Sequence, residues 1–243
     1  MIVDAVIMAG GRSVRMRDRG DPTHKALVLV DGVAMAERSF ASLIAYGFRS
    51  IAITISAEEP DVLCFARGRL SALADSAAAN LRCIIEEKPL GTIGAVGRIR
   101  SATDALLVVN VDNISALDLR QLVERHSAGK AAMTIAAHRE PLPVPFGELE
   151  VTSGVVSAYH EKPTHHLWVS SGAYVLSADA RAAIGLNERI DVPKLFERLR
   201  ARSLLIAAHQ HDAAWVDVND AAALVRAEQL VHREGAHSDR VHR

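Results

Sequence analysis

The sequence predicts an α/β fold built on a mostly parallel sheet with helices on both faces. Three observations predict it. Strand-like runs at 2–8, 50–56 and 106–111 are almost continuously apolar, amphipathic or alanine-rich stretches alternate with them, and glycine-rich turns follow them. Strands this apolar need cover on both faces, and the alternating stretches are that cover.

Residues 2–8 read as a buried strand that runs straight into Ala9-Gly10-Gly11-Arg12-Ser13-Val14-Arg15-Met16. Two adjacent glycines let the backbone turn and approach a ligand without side chains in the way. Arg15 and Lys25 add mobile positive charge near N–H groups that can face an anion. An ordinary turn with solvated arginines explains the loop alone equally well. No Gly-Lys-Ser/Thr follows and the three-glycine spacing is missing, which excludes a Walker loop and the dinucleotide fingerprint.

An apolar run at 26–30 is closed by Asp31-Gly32, a turn signal. Met35, Phe40, Leu43 and Ile44 then fall at helical intervals, and Gly47 stops that helix as a C-cap would. Further on, 50–56 is a strand, 61–80 an alanine-rich helix, 81–85 a strand, and 91–99 a helix that starts on a glycine. Strand 106–111, helix 117–127 and strand 131–137 complete this part. From Pro141 the pattern changes. Pro141, Pro143 and Pro145 mark a loop, and alternating runs at 148–152, 155–160 and 168–176, turned at Ser153-Gly154, predict a small antiparallel portion. Residues 178–184 and 192–202 read as helices, 204–209 as a strand and about 220–231 as the last helix. The polar, basic stretch 232–243 is expected to fray.

Composition excludes several classes. Twenty-eight Lys and Arg against 29 Asp and Glu leave a net charge of −1, so no basic field argues for nucleic acid. Hydrophobic residues at 49% and charged residues at 23% describe an ordinary globular protein. No apolar run approaches the ~20 residues of a membrane helix. Strand-like sequence begins at Ile2 with no leader before it, and a cytoplasmic location is expected. Cys64 and Cys83 are expected to be buried, reduced thiols.

Ligands of parallel sheets sit at the carboxyl ends of the strands, which puts the opening loop, the turn at 86–94 and Asp112 on one rim. Asp112 ends an apolar run within Asn110-Val111-Asp112-Asn113. A carboxylate there is costly to bury unless a cation meets it, and its hard oxygens suit magnesium; a turn or helix cap is the plainer reading. Asp217 has the same form, with Asp220 as the N-cap of the last helix. Two carboxylates converging on a metal match phosphoryl-transfer chemistry. The glycine loop Pro89-Leu90-Gly91-Thr92-Ile93-Gly94 offers N–H groups to a ring edge or phosphate, or is simply a tight turn. Neighbours in a strand point to opposite faces, so Glu161 and Lys162 have separate jobs at a site or are solvated loop charges. His138, His160, His165, His166, His209 and His211 fit no zinc spacing and are expected in surface or packing roles. Trp168 and Trp215 are expected as core or pocket walls. No nucleophile elbow stands out.

Taken in order, these motifs resemble the sugar-1-phosphate nucleotidylyltransferases. They are AGGRSVRM followed by Lys25, PLGTIGAV at 89–96, NVDN at 110–113, EKP at 161–163, SSGAYVL at 170–176 and WVDVND at 215–220. The resemblance implies a Rossmann-like, three-layer α/β/α fold with a mostly parallel central sheet and a small antiparallel substrate-binding portion. It implies one domain over 1–231, about 1–140 for the nucleotide and about 141–231 for the sugar phosphate. It also implies a magnesium-dependent reaction in which a sugar-1-phosphate oxygen attacks the α-phosphate of a nucleoside triphosphate in line and pyrophosphate leaves.

By matched position, the resemblance gives Arg15 and Lys25 the triphosphate, Asp112 and Asp217 the magnesium, Glu161 the sugar hydroxyls and Lys162 the sugar-side phosphate. Ala9, Gly10, Gly11, Pro89, Gly91, Thr92 and Gly94 would surround base and ribose, and Asn110, Ser171 and Gly172 would complete the substrate contacts. Ser13-Val14, His24 and Ser170 depart from the family pattern. The PLGTxGA form leans towards GTP, as in the GDP-mannose and GDP-heptose enzymes, with a sugar, heptose or cyclitol phosphate as acceptor. The alternatives are a molybdopterin-type guanylyltransferase, which AGGxSxRM resembles, and a non-catalytic nucleotide-sugar sensor. The partners implied are small molecules, with neither nucleic acid nor membrane, and a homo-oligomer is left open.

Overall fold

The structure, a computed structural model, describes residues 4–11, 23–100 and 104–241, with side chains as far as Arg233. Strand β1 (Asp4–Ala9) is followed by a hairpin of β2 (Leu29–Val30) and β3 (Val33–Ala34), turned at Asp31-Gly32, where both residues have positive φ. Helix α1 (Met35–Ala45) leads to β4 (Ser50–Ser56). Helices α2 (Pro60–Phe65) and α3 (Ser71–Ser76), joined by a π-helical stretch at Ala66–Leu70, lead to β5 (Asn80–Glu86). Next come β6 (Leu106–Asn110), β7 (Asn113–Ser115), α4 (Leu119–Gly129) and β8 (Met133–Pro143). Then follow β9 (Gly147–Thr152), β10 (Val155–Glu161), β11 (Thr164–Leu176) and α5 (Ala178–Arg181). The chain closes with α6 (Val192–Ala201), β12 (Ile206–Gln210), β13 (Trp215–Asp217) and α7 (Ala221–Val241).

Seven strands form one sheet in the order β12-β8-β11-β6-β1-β4-β5. All run parallel except β11, which is antiparallel to both β6 and β8. The side-chain period of two splits each strand between two cores. Ala5, Ile7 and Ala9 of β1 join Phe40, Leu43, Ile53 and Leu122 on one face. Val6 and Met8 join Leu90, Ile93, Val108, Leu176 and Leu195 on the other. A third, smaller cluster of Val30, Met35, Ile114, Val218 and Ala227 ties the β2–β3 hairpin to α7. Phe48 N–H donates to the Leu43 carbonyl at 3.0 Å and Gly47 has φ 88°, so the expected glycine cap of α1 is present. Asp220 caps α7 through Ala223 N–H at 2.7 Å, also as expected.

Four expectations are corrected. The predicted helix at 91–99 is only a short 3₁₀ turn, Gly94–Arg98. Its backbone bonds elsewhere: Ile190 N–H donates to the Leu90 carbonyl at 2.9 Å and Ile93 N–H to the Ile190 carbonyl at 3.3 Å. Pro141 and Pro143 stand in a strand, not a loop. Beyond Ala137 strand β8 has lost β12 and pairs with β11 alone, so it is an edge, where a missing N–H is tolerated. Helix α7 continues through 232–241 instead of fraying at 232. Cys64 is exposed and Cys83 half-buried, so the thiols are not both core residues. Among the described residues no helix is long and apolar enough to cross a membrane.

Candidate active site

The carboxyl ends of β1, β5 and β6 open on a cavity of about 370 Å³. Its lining joins Ala9, Gly10, Gly11 and Lys25 to Glu86, Pro89, Gly91 and Thr92, and to Asn110 and Asp112. The strand-end rule therefore brings the three expected segments together. A second cavity of about 460 Å³ shares Asn110 and is lined by Asn113, Ser171 and Gly172, among others.

Each glycine of the first loop has its own reason. A Cβ on Gly10 would collide with Glu86 Oε1, so the absent side chain is required by a neighbouring carboxylate. At Gly11 a Cβ would meet nothing within 4 Å. His24 Nδ1 accepts from Ala26 N–H at 3.1 Å, which leaves the hydrogen of a neutral ring on Nε2, 2.7 Å from the Gly11 carbonyl. His24 thus ties the glycine loop to the turn that carries Lys25.

Glu86 is 2% exposed. Leu90 N–H donates to its Oε2 at 3.2 Å, while Oε1 has no hydrogen-bond partner among the described residues. Burial pushes its carboxyl above the ordinary value, opposed by the Leu90 N–H, Thr54 and the charge of Arg98.

Lys25 Nζ lies 2.8 Å from Asp112 Oδ2, both partly buried. Strands β7 and β13 pair antiparallel with Asn113 opposite Asp217, and Val218 N–H donates to the Asp112 carbonyl at 2.8 Å. This pairing, between segments about a hundred residues apart, sets the two expected metal carboxylates on adjacent strand ends. Asn219 Nδ2 donates to Asp217 Oδ2 at 3.2 Å. Among the described residues no group of three or more His, Cys, Asp or Glu is placed to hold a metal.

Several expected residues have packing or hydrogen-bond partners of their own, and some lie outside the two cavities. Gly91 and Gly94 serve packing: a Cβ on Gly91, at φ 77°, would lie 2.5 Å from the Ile190 carbonyl oxygen, and one on Gly94 would collide with the Glu188 carbonyl. Thr92 N–H donates to Asp191 Oδ1 at 2.7 Å, so that donor is already taken. Gly172, at φ 71°, leaves room for the Asn113 amide, which a Cβ would overlap. Glu161 and Lys162 are exposed at the end of β10, with Tyr159 O–H donating to Glu161 Oε2 at 3.1 Å, and neither lines the two cavities. Arg15 lies outside the described residues. Trp168 is half exposed with Arg139 6.0 Å from its ring centre, a ribbon residue in place of a core one. Trp215 donates through Nε1 to the Ser171 carbonyl at 2.9 Å.

Sequence reasoning missed Glu86, Arg189 and Asp191 in the cavity wall. Glu86 had a signal, as the last residue of a strand before a glycine loop. Arg189 and Asp191 had none, because a segment about a hundred residues away from the loop brings them in.

A parallel sheet whose one rim carries a glycine loop, a lysine–aspartate pair and a second strand-end aspartate defines an α/β enzyme of phosphate transfer. A sequence model of the family described as nucleotidyl transferase matches residues 4–234, and the chain belongs to that family. The chain is 25% identical over 199 residues to mannose-1-phosphate guanylyltransferase of Mycobacterium tuberculosis, covering 79% of this chain and 54% of the relative. It is 21% identical over 219 residues to D-glycero-alpha-D-manno-heptose 1-phosphate guanylyltransferase of Aneurinibacillus thermoaerophilus, covering 89% and 93%. It thus spans little more than half the length of the first of these relatives and nearly all of the second. Among solved structures, HddC from Yersinia pseudotuberculosis superposes with a TM-score of 0.70 at 22% identity, covering 94% of this chain and 99% of that one. HddC complexed with GMP-PN gives 0.68 at 20% identity, with the same coverage. These structures establish the shared Rossmann-like fold.

Proposed function

We propose that the chain joins GTP to a sugar 1-phosphate, or to a sugar-like heptose or cyclitol phosphate, and releases pyrophosphate. The observation that carries the choice of guanine is Glu86 Oε1, a buried carboxylate oxygen in the cavity wall with no partner among the described residues. Guanine offers two adjacent donors, N1–H and the exocyclic amine, and a carboxylate accepts both; adenine offers one donor beside an acceptor. Donors at Glu86 also restore to the anion what burial takes away. The names of the two relatives, both guanylyltransferases for manno-configured sugar 1-phosphates, support the same base and acceptor class. They weigh against the molybdopterin-type alternative.

In this reading the acceptor phosphate oxygen attacks the α-phosphorus in line and pyrophosphate leaves, so no side chain has to act as a nucleophile. Asp112 and Asp217 supply hard carboxylate oxygens from adjacent strand ends, a donor set that fits magnesium. Magnesium, when bound, offsets triphosphate charge. Lys25, paired with Asp112 before substrate arrives, turns its ammonium to the triphosphate as the charge of Asp112 is taken up. Arg15 is the second cation of the triphosphate. The absence of a side chain at Gly11 lets the nucleotide approach β1 closely. Glu161 and Lys162 take the sugar hydroxyls and the sugar-side phosphate, which requires their ribbon to close over the site.

A matrix of GTP, ATP, UTP, CTP and dTTP against mannose 1-phosphate, a manno-heptose 1-phosphate, glucose 1-phosphate and a cyclitol phosphate, read by pyrophosphate release, tests this. GTP with a manno-configured acceptor should exceed ATP by at least about tenfold in kcat/KM. Turnover with ATP or dTTP but not GTP overturns the base assignment. A nucleotide-dependent reaction that accepts none of the phosphates overturns the acceptor class.

A further inference from the structure

Ser171 lies where β11 bulges between its pairings with Ala137 and Ile135 of β8. It is 3% exposed, and its Oγ is 2.9 Å from His138 Nδ1 and 2.8 Å from His211 Nε2. His138 Nε2 is in turn 3.2 Å from Glu140 Oε2. The order of protons along this chain follows from its charged end. An ionised Glu140 only accepts, so His138 carries its hydrogen on Nε2 and, as a neutral ring, accepts at Nδ1. Ser171 gives its single hydrogen there, and its oxygen then accepts from His211 Nε2–H. That leaves His211 Nδ1 as a bare acceptor, and this ring atom is indeed buried with no hydrogen-bond partner among the described residues. Burial lowers the tendency of His211 to protonate, against the pull of Asp212, in keeping with a neutral ring.

The backbone of the same serine carries the other half. The Ser171 carbonyl accepts from Trp215 Nε1 at 2.9 Å and from Asn113 Nδ2 at 3.2 Å. The Trp215 ring packs 4.4 Å from that of His138. The Asn113 amide fills the space above Gly172, beside Asn110, the residue shared by the two cavities. We propose that Glu140, His138, Ser171 and His211 form a hydrogen-bond relay with one proton order that locks the Ser171–Gly172 bulge and, through the Ser171 carbonyl, fixes the Asn113 amide on the acceptor side of the site. Ser171 is then a positioning residue. Its hydroxyl hydrogen is committed to one imidazole and its oxygen accepts from the other, so it has no hydrogen to give a sugar hydroxyl. The acceptor half of this inference rests on the proposed sugar-phosphate reaction; the relay itself does not.

Long-range ¹H–¹⁵N spectra of the free protein at about pH 7.5 read imidazole tautomers directly. Both His138 and His211 should be neutral with the hydrogen on Nε2. A His138 Nδ1–H tautomer, or a cationic ring at either position, overturns the relay. The Asn113 side-chain amide signals should move in His138→Ala and return close to their wild-type positions in His138→Asn, whose amide oxygen replaces Nδ1 as acceptor. Signals indifferent to both variants overturn the positioning claim, with no substrate involved. With GTP saturating and mannose 1-phosphate varied, His138→Ala should raise the acceptor KM about tenfold and leave the KM for GTP within about twofold, and His138→Asn should restore most of the loss. An equal rise in both KM values contradicts it. If wild type turns over no sugar phosphate at all, the proposed reaction fails, while the spectra still decide the relay.

Discussion

A side chain at Gly10 would meet Glu86 Oε1, and that oxygen is the one left without a partner in the cavity wall. The glycine and the carboxylate are therefore two parts of one constraint, in which the loop gives up its Cβ so that an acid can stand in the cavity wall. Glu86→Gln keeps the shape but puts a donor where guanine also donates. Its KM for GTP should rise by roughly ten- to a hundredfold, the cost of leaving one buried group mismatched, with little change for ATP. Steady-state kinetics with both nucleotides check this, and equal effects on the two would remove Glu86 from base selection. At this scale the sequence was legible where a residue type is tied to a strand end. The opening loop, the turn at 86–94 and Asp112 were placed on one rim because the end of a buried strand has a fixed place in a parallel sheet, and all three line one cavity. The part played by Gly10 was not legible, because it depends on Glu86, a residue of another strand.

Elements show the same division. Strands β4 and β5 and helix α1 were readable because β-branched runs, helical spacing and a glycine cap are local signals. The stretch 91–99 was misread because its glycines answer to the segment at 188–191, and nothing local records that pairing. Gly91→Ala tests it: positive φ and a Cβ 2.5 Å from the Ile190 carbonyl oxygen both oppose the substitution. A loss of about 2–4 kcal/mol is expected, which for a chain of this size lowers Tm by roughly 5–15 °C. An unchanged Tm would mean that the two segments are not held together as described. The same segment is anchored to α6, where Arg198 Nη1 donates to Glu188 Oε2 at 2.7 Å. The Arg198 hydrogen bond, helped by Gly185 N–H, holds the Glu188 carboxyl down to about 2 from an ordinary 4.5. A carboxyl lowered in the folded state contributes stability above its unfolded value and loses it as pH falls towards the folded one. Wild type should therefore lose more of its urea midpoint than Glu188→Gln between about pH 6 and pH 3. Equal losses would mean the ion pair does not persist in solution.

In the whole molecule, the seven-stranded sheet and the separate β7–β13 pair position the site. Strands β1, β5 and β6 end on the first cavity, the β7–β13 pairing adds Asp217 beside Asp112, and the bulge of β11 borders the second. The parallel order made the fold class legible from apolar strands alone, but the continuation of β8 through 138–143 was not, because prolines on an edge strand look like a loop. In the proposed reaction the charge of the triphosphate is met by magnesium held at Asp112 and by Lys25, 2.8 Å from that carboxylate. Pyrophosphate release from GTP and mannose 1-phosphate, with and without magnesium, for wild type and Asp112→Asn tests this most directly. Circular dichroism confirms that the variant is folded. Wild type should release pyrophosphate in step with nucleotide-sugar formation and only with the metal, and Asp112→Asn should be slower by at least about a thousandfold. Normal turnover in a folded Asp112→Asn protein would contradict the account.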